Sequence, residues 1–242
     1  MCGEPCGLHR VSRASFAGKV IVENPMLGRW VGPNITRGGL TKDYRPEDWV
    51  RIIRHGVKKD GTAASMPSRD YAWFSDQEVS DIAAYITSMP AITEPAPETK
   101  LGPLFAFLIA QGEIPLDAEH IDHNAKRRTH PPAITRGTEL GEHLARTCAG
   151  CHGANFTGGP IPGGDPSWPP ASNLTFAPSG LASWTEEDFI TALREGRRPD
   201  GTAIDSAMPI AYTKNLEDAE ILSIYDYLKA LPPAKAGDPA RL

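Results

Sequence analysis

The sequence predicts an all-α chain of two helical units in tandem, and three observations carry that prediction. The first is an internal repeat. Tyr44, Asp48, Trp49, Arg54, Gly56 and Asp60-Gly61-Thr62 recur at a constant offset of 140 as Trp184, Asp188, Phe189, Arg194, Gly196 and Asp200-Gly201-Thr202. After a two-residue insertion, Met66-Pro67, Asp76, Glu78, Tyr85 and Pro90 recur as Met208-Pro209, Asp218, Glu220, Tyr227 and Pro232. Self-similarity this long defines the unit before any element is assigned. The second observation is that helix start and stop signals fall at matching places in both units, while no comparable stretch alternates as a strand. The third is the run Cys148-Ala149-Gly150-Cys151-His152, a C-x-x-C-H motif.

The elements follow in order. Cys2 and Cys6, with His9 three residues on, form a C-x-x-x-C-x-x-H stretch that departs from C-x-x-C-H because no cysteine directly precedes the histidine. Asn34-Ile35-Thr36 parallels Asn173-Leu174-Thr175. Pro46 suits a first helical position, and Trp49, Val50, Ile52 and Ile53 make an apolar face that ends at Gly56. Ser75 and Glu78 form a capping box before Val79, Ile82 and Ile86, and that helix ends before Pro90. Residues 1–92 are therefore read as the first domain, lacking the N-terminal helix its counterpart has.

Residues 93–136 read as a linker, Pro- and Glu-rich at its start. The apolar stretch Leu101 to Gln111 is too short to span a bilayer and is expected to pack between the domains. His120, His123 and His130 follow in a polar loop, where solvated side chains are the expectation. Residues 137–242 form the second domain. An amphipathic helix from Thr138 to Thr147 carries Leu140 and Leu144 into the C-x-x-C-H motif. Thr185 and Asp188 cap the helix that buries Phe189, Ile190 and Leu193 and stops at Gly196, and Asn215 is expected to cap the last one, with Ile221, Ile224, Tyr225 and Leu228 inward.

The C-x-x-C-H spacing suits covalent haem. Two thiols one helical turn apart, Cys148 and Cys151, can each add to a haem vinyl group, and His152 then lies under the iron. The same cysteine pair could hold half a zinc site or act as a redox dithiol, but zinc needs a second ligand pair and the dithiol a thioredoxin-like context, and neither is evident. A haem iron held by histidine needs a second ligand, and Met208, in a Met-Pro loop that makes poor core material, supplies a candidate. Met66 has the same context. One haem is therefore expected, in the second domain; a second, on Cys6 with His9 and Met66, is the alternative.

Glycine and proline number 23 each and only 40% of the chain is hydrophobic, so the cores are small and a buried haem would fill missing apolar volume. Formal charge is −5, divided as +2 over residues 1–92 and −7 over the rest. There is no basic stripe to indicate nucleic acid. No run of 18 apolar residues indicates a membrane span. Haem attachment implies export to the periplasm, yet no signal sequence precedes Met1-Cys2, so the natural N-terminus is expected to be missing.

Taken together, C-A-G-C-H-G, N-L-T, W-T-E-E-D-F, D-G-T, A-M-P and the final Y-L-K-A-L-P-P resemble the class I cytochromes c, and more closely the tandem dihaem c-type cytochromes, including cytochrome subunits of periplasmic dehydrogenases. The resemblance covers about residues 16–92 and 137–234. It implies two cytochrome c-like domains, thioethers at Cys148 and Cys151, axial ligation by His152 and Met208, and Met66 as a distal ligand in the first domain. With both axial positions filled by protein, it implies an electron carrier between redox protein partners, not an enzyme. A dihaem peroxidase-like enzyme, with one iron left open, is the alternative.

Overall fold

The computed structural model describes residues 16–64, 66–111, 116–162, 164–165 and 167–237. The chain divides into two compact units, Met1–His130 and Pro131–Leu242.

Unit 1 opens with a feature that the all-α expectation missed. Strand β1 (Lys19–Asn24) pairs antiparallel with β2 (Gly28–Gly32), and β3 (Lys100–Leu101) adds to β2's other side. Asn24 makes the turn by accepting the Met26 amide at 2.8 Å. The strand signal was hidden because Ile21 occupies an outward position, 51% exposed, beside a break in register between Val20 and Val22. Polar and apolar residues therefore do not alternate along β1, although burial does.

Helix α1 (Pro46–His55) starts where proline needs no hydrogen bond and stops at Gly56, whose φ of 65° is costly for any residue with a side chain. Its buried face, Trp49, Ile52 and Ile53, packs with Val79 and Ile86 of α2 (Asp76–Ser88). Ser75 caps α2: its hydroxyl accepts the Glu78 amide at 3.2 Å, and the Glu78 carboxylate accepts from the Ser75 amide at 2.7 Å. Because Ser75 is fully buried, Ser75→Ala is expected to destabilise unit 1 by about 1 kcal/mol, read as a lower midpoint in denaturant with an unchanged slope.

The stretch read as a linker does not run free. Thr99 accepts the Val31 amide at 3.1 Å. The apolar segment forms α3 (Pro103–Ala110), and Phe105 packs on Trp30 of β2, within unit 1. Residues 116–129 continue along unit 1 through Asp117, His123 and Arg127. Its composition is that of a loop, but its partners are supplied from tens of positions away.

In unit 2, α4 (Thr138–Ala145) crosses α8 (Asp218–Ala230), with α5 (Ala149–His152), α6 (Glu186–Glu195) and α7 (Ile210–Thr213) between them in sequence. The crossing is close because Gly141 lies against the Ser223 backbone, where a side-chain carbon would overlap the Ser223 carbonyl oxygen. Ser223 is fully buried, and its hydroxyl accepts the Gly137 amide at 3.0 Å while donating to the Ala219 carbonyl at 2.6 Å. Ala145, Phe156, Leu181, Phe189, Ile221, Ile224, Tyr225 and Leu228 form the core. The last helix is capped by Glu217, whose amide donates to Glu220, and not by Asn215, whose side chain turns back to the Ala211 carbonyl.

Among the described residues no helix precedes α1 in unit 1. The expected lack of an N-terminal helix in unit 1 concerns residues 1–15, which lie outside those described.

The repeat survives as repeated hydrogen bonds. Asn34 and Asn173 each accept the amide and hydroxyl of the threonine two residues on, at 2.9 and 2.8 Å. Their amide groups then donate to Ile92 and Ala234, just past α2 and α8.

Candidate haem site

Helix α4 runs on through a single 3-10 turn, Arg146–Cys148, into α5. Cys148, Cys151 and His152 therefore lie on two successive helical turns. Cys148 is half-buried and packs against the unit 2 core, Cys151 is exposed, and His152 is 8% exposed. Gly153 ends the helix at a φ of 79°, and the chain turns back through Phe156, a buried residue with the strained φ of 59°.

The His152 ring is fixed by one hydrogen bond. Its Nδ1 lies 2.8 Å from the Ser172 carbonyl oxygen. A carbonyl only accepts, so Nδ1 carries the proton and the neutral ring presents its lone pair at Nε2. Burial holds the imidazole below its usual titration range, and the bond to Ser172 partly offsets this. A neutral histidine oriented through its second nitrogen by a backbone carbonyl is the arrangement a metal ligand requires. Ser172 was invisible to sequence reasoning, because the contact is a main-chain oxygen and carries no residue-type signal.

Met208 is half-buried in a loop whose shape is set at both ends. Upstream, Gly196 leaves α6 at a φ of 67°, Arg198 bonds Thr202 at 2.9 Å, and Asp200 accepts both the amide and hydroxyl of Thr202. The Asp205 carbonyl then accepts the Met208 amide at 3.0 Å, and the Met208 carbonyl accepts the Ile210 amide at 2.8 Å as α7 begins.

Unit 1 builds the same loop around Met66. Gly56 has a φ of 65°, Lys58 bonds Thr62 at 2.8 Å, Asp60 holds Thr62, and the Met66 carbonyl accepts the Ser68 amide at 2.8 Å. Pro67 and Pro209 share nearly the same backbone, at φ, ψ of −75°, 65° and −80°, 58°. Met66 packs against the unit 1 core. Cys6 and His9, the attachment residues of the alternative site, lie outside the described residues.

The donor set of unit 2 fits covalently bound haem: two cysteines one turn apart, an adjacent neutral imidazole with a bare nitrogen, and a thioether on a preset loop. Among the described residues no group of three or more His, Cys, Asp or Glu is placed to hold a metal ion, so the zinc reading finds no second ligand pair there.

Comparisons with known proteins point the same way. The family model for cytochrome c matches residues 138–232, and that for cytochrome c oxidase, cbb3-type, subunit III, matches residues 25–86. The chain is 31% identical over 245 residues to the fructose dehydrogenase cytochrome subunit of Gluconobacter japonicus, covering 91% of this chain and 48% of that protein. It is 28% identical over 249 residues to the gluconate 2-dehydrogenase cytochrome c subunit of Pantoea cypripedii, covering 89% and 54%. With the cytochrome c subunit of alcohol dehydrogenase (quinone) of Komagataeibacter europaeus it shares 26% over 244 residues, covering 90% and 51%. The chain thus spans about half the length of these relatives.

Proposed function

We propose that this chain is an electron-transferring c-type cytochrome, whose second unit, the part matched by the cytochrome c family model, holds a covalent haem. Cys148 and Cys151 would attach the porphyrin, and His152, through Nε2, and Met208 would ligate the iron. The haem supplies a one-electron iron couple; the residues fix its place and its potential. The observation that carries this reading is the Nδ1 bond of His152 to Ser172, which orients the ring and leaves its other nitrogen bare.

The partner, on the same reading, is the catalytic subunit of a periplasmic-side dehydrogenase, with a second redox protein taking the electrons onward. The relatives named as cytochrome subunits of fructose, gluconate and alcohol dehydrogenases support it. No helix among the described residues is long and apolar enough to cross a membrane. A dihaem chain is the second reading, favoured by the matched backbone around Met66 and Met208.

Met208→Ala tests the ligand set. The thioethers still hold the porphyrin, so haem remains attached. Loss of a soft ligand that favours ferrous iron is expected to lower the midpoint potential by on the order of a hundred millivolts or more, within the roughly 0.8 V that axial ligands span. The methionine-to-iron absorption band should vanish with it. A variant with an unchanged potential would remove Met208 from the site.

A further inference from the structure

We propose that residues 116–129 form a pH-operated latch on unit 1, held shut by the hydrogen bond between His55 and His123 and released when both rings are protonated. The segment crosses the end of α1 and the turn that follows Met66-Pro67. Asp117 accepts from the Arg69 amide at 3.1 Å and from its guanidinium at 2.9 Å. Arg127 donates to the Ala72 carbonyl and, at 3.0 Å, to the Asp122 carbonyl. The Arg128 and Thr129 carbonyls accept the Asp76 and Gln77 amides at 3.0 Å each, meeting two of the orphan donors at the start of α2. Gly56 leaves room for the Ala118 backbone.

The proton positions follow from the acceptors. His55 Nδ1 and His123 Nδ1 are 2.9 Å apart, and His123 Nε2 lies 2.8 Å from the Ala118 carbonyl oxygen. That oxygen can only accept, so His123 carries its proton on Nε2 and offers a bare Nδ1. His55 must then donate from Nδ1. A first added proton goes to His55 Nε2 and leaves the bond intact. The second can go only to His123 Nδ1, where two N–H groups then face each other across the gap.

The surroundings oppose charge on His55. Arg54 of α1 is buried and bonds Asp76 of α2 at 2.8 Å, yet its Nε and Nη2 have no partner. Arg127 of the strap adds a second guanidinium. Burial first, then the charges of His123, Arg127 and Arg54, holds His55 below its usual 6.5. A group depressed in this way takes up its proton more readily when the strap is released. The contribution to closure is complete above pH 6.5 and is lost as pH falls through the depressed value.

One neighbouring group works in the opposite sense. Burial, and then Asp117, push the Asp70 carboxyl up to about 6 from 3.8. Its contribution is present below 3.8 and is lost as pH rises through about 6, so between those values acid favours closure. Asp70→Asn removes this opposing titration.

The test is amide hydrogen exchange on the haem-loaded full chain, following the Asp76 and Gln77 amides between about pH 7.5 and 5 with intrinsic rates divided out. In the Asp70→Asn chain protection should fall by up to about tenfold per pH unit for each linked proton. Adding His123→Asn should diminish that pH dependence, leaving only the part that burial, Arg127 and Arg54 impose on His55. Nitrogen NMR of the two imidazoles supplies a second readout: His123 Nδ1 should gain its proton in step with the loss of protection. Constant protection in Asp70→Asn, an undiminished pH dependence with His123→Asn, or a His123 titration decoupled from exchange would each overturn the latch.

Discussion

Replacing Cys148 and Cys151 together with alanine is expected to give a chain with no covalent haem and no haem absorption. The attachment residues of unit 2 are the one intact C-x-x-C-H set in the sequence, and Cys6 with His9 cannot reproduce adjacent Cys-His geometry. The variant should also lose the cooperative melt of unit 2. Cys148 and Ala149 pack directly on the core of Ala145, Phe156, Ile221 and Leu228, and a haem held there covers apolar surface that loops cannot. Intact mass, the visible spectrum and helicity on heating read the outcome. A haem addition that persists, carried on a peptide containing Cys6, would establish the two-haem reading. A sharp native-like melt in the colourless protein would show that the unit 2 core stands without its cofactor.

Gly141→Val should strongly destabilise unit 2. A β-branched side chain there meets the backbone of Ser223 and the Tyr227 side chain, and neither a carbonyl nor a helix axis yields as a flexible side-chain tip does. Relief requires α4 to move off α8, which also strains the Gly137 bond to Ser223 and the double grip of Arg136 on Glu186 and Asp226. Overpacking of this kind costs about 3 kcal/mol, or roughly 10 °C or more in melting temperature for a unit of this size. Gly141→Ala should fall between wild type and Gly141→Val. A valine variant melting at the wild-type temperature would mean that the helices cross elsewhere.

The parts of the fold readable in the sequence are those that local chemistry specifies. Ser75 with Glu78 and Thr185 with Asp188 started helices where expected, and Gly56 and Gly196 ended them, because caps act within a few residues. Glu217 was passed over for Asn215 because glutamate is an uncommon N-cap, although Glu220 completes the box. The three-stranded sheet escaped notice because outward Ile21 breaks the alternation, and β3 pairs with residues more than seventy positions away in the chain. The latch was unreadable for a related reason: His55 and His123 are ordinary polar residues until the fold brings them within 2.9 Å.

At the candidate site, the motif named Cys148, Cys151 and His152 by spacing alone, the need for a second ligand pointed to Met208 in its Met-Pro loop, and the repeat gave Met66 the same context. What spacing cannot supply is direction. The Ser172 oxygen that aims the His152 ring belongs to the main chain, and its position depends on how residues 153–172 return to α5. The resemblance to c-type cytochromes agrees with the family matches to both units and with the relatives named as dehydrogenase cytochrome subunits.

The hairpin between Gly196 and Ile204, with its twin between Gly56 and Ala64, bears on maturation. Its rungs, Arg198 to Thr202 and Ile204 to Gly196, are made wholly within the polypeptide, at 2.9 and 2.7 Å. The order of the methionine loop therefore rests on bonds within the polypeptide and not on a bond to iron. The entropy of fixing those residues is spent once, in folding, and is not charged again against ligation. Conversely, on the proposed ligation by Met208, loss of the Asp200 or Thr202 side chain should slow the rate of ligation more than it weakens the final bond.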